Sequence, residues 1–217
     1  MIDHPKPDLE TVRGIVEQIA KGLRAFHRKE MLHQDLRPDN IMIDRTGTAK
    51  IIDFGSTRIA GVVEAAPPAV HGDILGTLQY TAPEYFSGES GSPRADMFSL
   101  GVIAYHILTG RLPYGTQIAK ARTKSQFGRL KYRSALDGNR EIPAWIDGAL
   151  RRAVHPDPYK RYESLSEFTF DLRHANAKYL ARPPLIERNP LLFWKCATAI
   201  LACVVVILLA VLHSARH

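Results

Sequence analysis

The chain has 217 residues, 45% of them hydrophobic, and carries 29 Lys and Arg against 22 Asp and Glu for a formal charge of +7. This length suits one domain, or one domain with an appendage. Its two cysteines, Cys196 and Cys203, have neither disulfide-framework nor metal-ligand spacing, which fits a reducing compartment. No nucleic-acid recognition motif accompanies the positive charge, so no nucleic acid is expected as a partner.

In chain order, "DLETVRGIVEQIAKGLRAFHRKEM" places Leu9, Val12, Val16, Ile19, Leu23 and Phe26 three or four residues apart. That period predicts an amphipathic helix, capped by Asp8 just after Pro7. The polar stretch "HQDLRPDN" follows, then "NIMID", a turn at "RTGT" and "AKIID", which predict a β-hairpin. "FGSTRIAGVVEAAPPAVHGDILGT" has no sustained period and reads as a long loop, a kind of segment that usually carries function. A strongly apolar helix is predicted over Ala95–Thr109, ending at Gly110, with further helices near Pro143–Val154 and Ser164–Ala177.

Between Arg111 and Arg161, twelve Lys and Arg face Asp137, Glu141, Asp147 and Asp157, a local excess of eight positive charges. Such a face meets an anionic leaflet or an acidic protein, or is simply solvated. "ARPPLIERNP" reads as a stiff linker. From Cys196 to Leu212 no charged or strongly polar residue occurs over seventeen positions. With Leu191–Trp194 and a snorkelling Lys195, this run predicts one transmembrane helix over 191–212. Arg182, Arg188 and Lys195 precede it while Arg216 follows, so the larger N-terminal part is expected to be cytoplasmic. The expected organisation is a folded part over 1–178, a juxtamembrane linker over 179–190, the span and a short tail over 213–217.

The polar stretch holds the chemistry. Asp35 and Asn40 lie between a helix and a strand, and Asp53 follows the next strand in "IIDFG". A hairpin would bring Asn40 and Asp53 together, and carboxylate and amide oxygens converging there suit a hard cation such as Mg²⁺ bound with phosphates. Asp35 would then stand beside the metal to orient a hydroxyl and accept its proton, with Arg37 neutralising charge on a transferring phosphoryl group. The plainer reading is that these residues form turns and caps.

"HQDLRPDN" followed by "DFG" and "GTLQYTAPE" resembles the catalytic loop, metal-binding loop and substrate-loop end of the protein-kinase family. "ADMFSLGVIAYHILTGRLPY" is similar to the central helix of the kinase C-lobe, "HPDPYKRY" to its late arginine segment, and "GTLQYTAPE" is of the serine/threonine kind. The resemblance covers roughly Pro7 to Ala177. It implies a mainly α fold (α+β), a protein-kinase-like C-lobe with a small β-hairpin, followed here by the predicted transmembrane helix. It also implies ATP and Mg²⁺, with Mn²⁺ an alternative, and a protein substrate bearing Ser or Thr. Under it Asp35 is the catalytic base, and Asn40 and Asp53 hold Mg²⁺ ions that bridge ATP phosphates. Arg37 stands where serine/threonine kinases usually carry lysine. Thr77 contacts Asp35 and helps seat the substrate, Glu84 pairs with Arg161, and Asp96 bonds the catalytic-loop backbone. His33 and Phe54 become members of a hydrophobic spine.

Gln34 replaces the arginine that commonly precedes the catalytic aspartate, and Arg58–Gly76 contain no Ser, Thr or Tyr. Phosphorylation of the middle of that loop is therefore not expected as an activating step; Ser56 and Thr57 remain as hydroxyls near Asp53. The Gly-rich loop, the strand lysine and the helix glutamate of a kinase N-lobe are not found, since only Met1–Lys6 precede the first helical stretch. The expectation is a C-lobe whose N-lobe, or a fused domain, belongs upstream in a longer parent. The wording of the catalytic stretch resembles bacterial kinases that follow a metal-dependent phosphatase domain, which points to a bacterial inner membrane. If the chain acts alone, the alternative is a catalytically weak or inactive membrane-tethered binding module.

Overall fold

The computed structural model describes residues 7–55, 57–59, 78–88, 91–121, 123–137, 141–176, 179 and 190–214. The first helix, α1 (Leu9–His27), starts where Asp8 accepts the Thr11 amide at 2.6 Å. Val12, Ile15, Val16, Ile19, Ala20 and Leu23 form its buried face, as the three- and four-residue spacing requires. After a turn through Glu30 come β1 (Met31–Leu32), the catalytic-type loop, β2 (Ile41–Ile43) and β3 (Ala49–Ile51). The β2 and β3 strands pair antiparallel, Ile41 with Ile51 and Ile43 with Ala49, giving the expected hairpin. Gln18 on α1 braces its turn, donating to the Gly47 carbonyl at 3.2 Å and accepting the Ala49 amide at 2.9 Å.

One expectation is corrected here. The stretch read wholly as loop contains β4 (Arg58–Ile59), which pairs antiparallel with β1, Met31 to Ile59 and Leu32 to Arg58. A two-residue strand has no alternation to betray it; its backbone is held by a partner 28 positions earlier in sequence. Ala60–Thr77 and Ser56 lie outside the described residues.

Next come α2 (Pro83–Phe86), α3 (Pro93–Thr109), α4 (Lys124–Gly128), α5 (Ala144–Ala153) and α6 (Leu165–Arg173). The central helix α3 is buried almost all round, with Phe98, Leu100, Val102 and Ala104 fully enclosed, so it shows no apolar face of its own. Gly101 lets α5 approach, because a Cβ there would stand 2.9 Å from Ala153 Cβ and Val154 Cγ1. Gly110 ends α3 in the left-handed region at φ 68°. The α6 helix stops at Arg173, short of the expected Ala177, where His174 turns extended.

The chain divides into two units, Met1–Tyr179 and Leu180–His217. In the second, α7 (Pro190–Ser214) runs 25 residues. Among the described residues no helix is long and apolar enough to cross a membrane. The span expected over Leu191–Leu212 is therefore not found there.

Candidate active site

The loop His33–Asn40 gains its shape from a carboxylate far away in sequence. Asp96, in the first turn of α3 and 1% exposed, accepts the amides of His33 and Gln34, each at 3.0 Å, and lies 2.8 Å from His27 Nε2. Gln34 is held at φ 67°, a region that only glycine enters without strain. The Asp96 carboxylate therefore offsets the strain with charge-assisted bonds of roughly 1.5–3 kcal/mol each. Leu36, 2% exposed, anchors the next turn in the core.

Pro38 begins a 3₁₀ turn that ends at Asn40. The Asn40 Nδ2 group donates to the Asp35 carbonyl at 2.8 Å and to Asp35 Oδ2 at 3.2 Å. Both donations settle which end of the amide is nitrogen, so Oδ1 is left as an oxygen donor with no hydrogen bond among the described residues. The Ile52 amide donates to the Asn40 carbonyl at 2.9 Å, so the exit of β3 is bonded to the end of the loop. Asp53 comes next, at φ 63°, exposed, with Oδ1 accepting the Gly55 amide at 2.9 Å. A carboxylate and an amide oxygen, both hard donors with capacity to spare, fit a Mg²⁺ ion shared with phosphates.

Arg37 donates from Nε to Asp39 at 2.9 Å, so its guanidinium is already engaged on the rim of the loop. His33 is buried and neither ring nitrogen has a hydrogen-bond partner among the described residues. Burial pushes its pKa below the usual histidine value, with Asp96, Asp35 and Asp53 opposing the shift. A neutral imidazole of this kind packs rather than shuttles protons. Its ring lies 6.1 Å from Phe54 and 6.2 Å from Phe26, and the two phenylalanines stack at 5.2 Å.

Glu84 and Arg161 meet as a buried pair. Arg161 donates to Glu84 Oε1 at 2.8 Å and Oε2 at 2.7 Å, and to the carbonyls of Arg94, His155 and Pro156. Thr77 lies outside the described residues. The structure thus brings together His33, Asp35, Asn40, Asp53, Phe54 and Asp96, and joins Glu84 to Arg161 some way along the chain. Sequence reasoning missed His27 on Asp96, Phe26 in the ring stack and Asp39 on Arg37. The signal for Phe26 was its place as the last apolar residue in the helical period; nothing local marked His27.

A family model described as the protein kinase domain matches residues 4–169. The serine/threonine-protein kinase Pkn1 of Myxococcus xanthus is 35% identical over 175 residues, covering 78% of this chain and 24% of that protein. PknL of Mycobacterium tuberculosis is 34% identical over 176 residues, covering 79% of this chain and 42% of PknL. PrkC of Bacillus subtilis is 29% identical over 172 residues, covering 79% and 25%. The chain therefore spans less than half the length of these relatives. A twitchin kinase region from C. elegans superposes with a TM-score of 0.61 at 26% identity, covering 81% of this chain and 30% of that one. Matched by the family model over residues 4–169 and similar in sequence to these serine/threonine-protein kinases, the chain belongs to the protein kinase domain family.

Proposed function

We propose that this chain provides the phosphoacceptor side of an ATP-dependent protein serine/threonine kinase. The observation that carries this reading is the Asn40 amide, which is bonded twice to Asp35 while keeping an oxygen for a cation. In this reading Asp35 orients the acceptor hydroxyl and takes its proton at a carboxylate oxygen. Asn40 Oδ1 and Asp53 would hold Mg²⁺, which would supply charge neutralisation for ATP phosphates. Arg37 leaves Asp39 to meet charge on the transferring group, and Thr77 helps seat the substrate. Asp96 keeps the loop in place, and the Glu84–Arg161 pair ties α2 to the turn that ends at Arg161.

A kinase's nucleotide site needs a nucleotide-covering lobe as well as these residues. Phe54, Met42 and Ile43 are about half exposed, and they suit a face that such a lobe covers. The membrane-anchored form of the reading, with the kinase part cytoplasmic at a bacterial inner membrane, rests on the sequence of Cys196–Leu212 alone.

The test is phosphate transfer from ATP and Mg²⁺ to a serine-bearing protein by the full-length protein. Replacing Asp35 with Ala should lower the rate about 10²–10⁴-fold, with the melting temperature held. Transfer that survives this substitution sinks the reading and leaves a tethered binding module in its place.

A further inference from the structure

From Arg111 to Leu136 the sequence carries seven Lys and Arg and no Asp or Glu. The fold gathers four of these cations. Between α4 and the 3₁₀ turn Ala135–Asp137, exposure alternates residue by residue: Arg129, Lys131 and Arg133 are exposed, whereas Leu130 and Tyr132 pack against the core. That period of two turns the three cations outward together. Arg111 joins them, because the Arg133 amide donates at 2.8 Å to the carbonyl of Pro113, two residues after Arg111.

The stretch is held from beneath. The Tyr105 hydroxyl donates to the Arg133 carbonyl at 3.0 Å and the Tyr132 hydroxyl to Asp147 Oδ1 at 2.9 Å, so the cations start from a fixed backbone. Nearby acids do not cancel the charge. Asp147 is buried and already engages Tyr132, the Ala135 amide and, at 3.8 Å, Arg151, whose guanidinium lies over the Tyr132 ring. None of Arg111, Arg129, Lys131 and Arg133 has an ion-pair partner among the described residues. Four cations against the exposed Asp137 leave an excess of three positive charges.

The surroundings select the occupant. Among the described residues no large apolar side chain is exposed between Arg111 and Asp137. A protein partner is ordinarily gripped through apolar or aromatic anchors at the centre of its interface. A leaflet rich in acidic lipids needs only charge, and its headgroups shift sideways to meet cations that share a side. The apolar run Cys196–Leu212 favours lipid over other polyanions. We propose that the face carrying Arg111, Arg129, Lys131 and Arg133 lies on the phosphates of an anionic leaflet and fixes how the folded unit stands on the membrane. The assignment rests on the membrane-anchored reading, which brings a leaflet within reach.

The test reconstitutes the whole chain in vesicles of phosphatidylcholine, alone or mixed with phosphatidylglycerol. Lys131 reports its own surroundings through its rate of acetylation by a water-soluble reagent, with the exposed Lys50 on β3 as reference. Acidic lipid should slow Lys131 relative to Lys50 by about ten-fold, since each basic residue at an anionic surface gains roughly a factor of five. Molar salt, which cuts the screening length to about 3 Å, should abolish the difference. Arg129→Glu with Arg133→Glu should abolish it too, with Lys131 kept as the reporter. Both side chains are exposed, so the melting temperature should hold; if it falls, the salt response decides.

Equal Lys131 rates in the two kinds of vesicle overturn the proposal, as does slowing that survives salt or survives the double reversal in a folded variant. So does tighter binding of the chain to polyglutamate or to a DNA duplex than to the mixed vesicles at equal charge, which would give the face to another polyanion. Flotation separates the two readings. A chain that floats with phosphatidylcholine but keeps one Lys131 rate retains the anchor and loses the face. A chain that floats only with phosphatidylglycerol, and is released by salt and by the double reversal, loses the anchor and retains the face.

Discussion

The Glu84–Arg161 pair and the Asp35–Asn40–Asp53 group are both polar, and the fold treats them in opposite ways. Arg161 is 1% exposed and every N–H of its guanidinium has an acceptor, with Phe98 4.8 Å below. The other group is strained at Gln34 and Asp53, which are held at positive φ, and leaves oxygens of Asn40 and Asp53 without full use. A saturated cluster has nothing left to bind with and can only support structure. An unsaturated one keeps valency open, and the strain it carries must be held from elsewhere, here by Asp96.

If that contrast is right, damage to the two clusters should separate into stability and function. The largest loss of stability should come from Glu84→Ala, which leaves a buried guanidinium unmatched and should cost about 3–5 kcal/mol. Urea unfolding of the variant measures this, and a midpoint equal to the parent's would break the contrast. Asp96→Asn comes next. It keeps the shape but weakens the grip on the amides of His33 and Gln34, and should cost about 1.5–3 kcal/mol. Its distinctive mark is greater hydrogen exchange at those two amides, and unchanged exchange would mean that the loop holds itself.

Asp8→Ala removes the cap of α1 and should cost about 1 kcal/mol, read as a fall in melting temperature with no effect on phosphate transfer. The smallest effect at neutral pH belongs to His33. Because burial lowers its folded pKa below the ordinary 6.5, the unfolded chain binds the proton more readily. The contribution is thus present above pH 6.5 and is lost as pH falls from there through the folded pKa. His106 and His155, also lowered by burial, add in the same direction. His33→Phe should flatten part of the acid-side fall in stability, and a slope identical to the parent's would place the titration on other groups.

Much of the site was legible before any coordinates. Asp35, Asn40 and Asp53 lie in short motifs set on either side of a hairpin, and pairing of β2 with β3 was enough to bring the loop end and the strand exit together. Helix α1 and its cap were legible for a similar reason, since the 3.6-residue period and an Asp at the N-terminus are local signals. The helix after Ser164 was read too long because nothing in "HANA" marks where packing ceases; the turn at His174 ends it.

What the sequence by itself determined is therefore the kinase-type motif order, the main helices and the hairpin, all of which follow from neighbours a few residues apart. Tertiary structure alone decided that β4 pairs with β1, that His27 joins Asp96 across 69 positions, that Phe26 stacks on Phe54, and that α2, α4 and the Pro156–Lys160 turn enclose a cleft. Those contacts depend on how far-separated segments pack around α3, and no local period or spacing encodes that packing. Loop closure brings them together only after the core has formed.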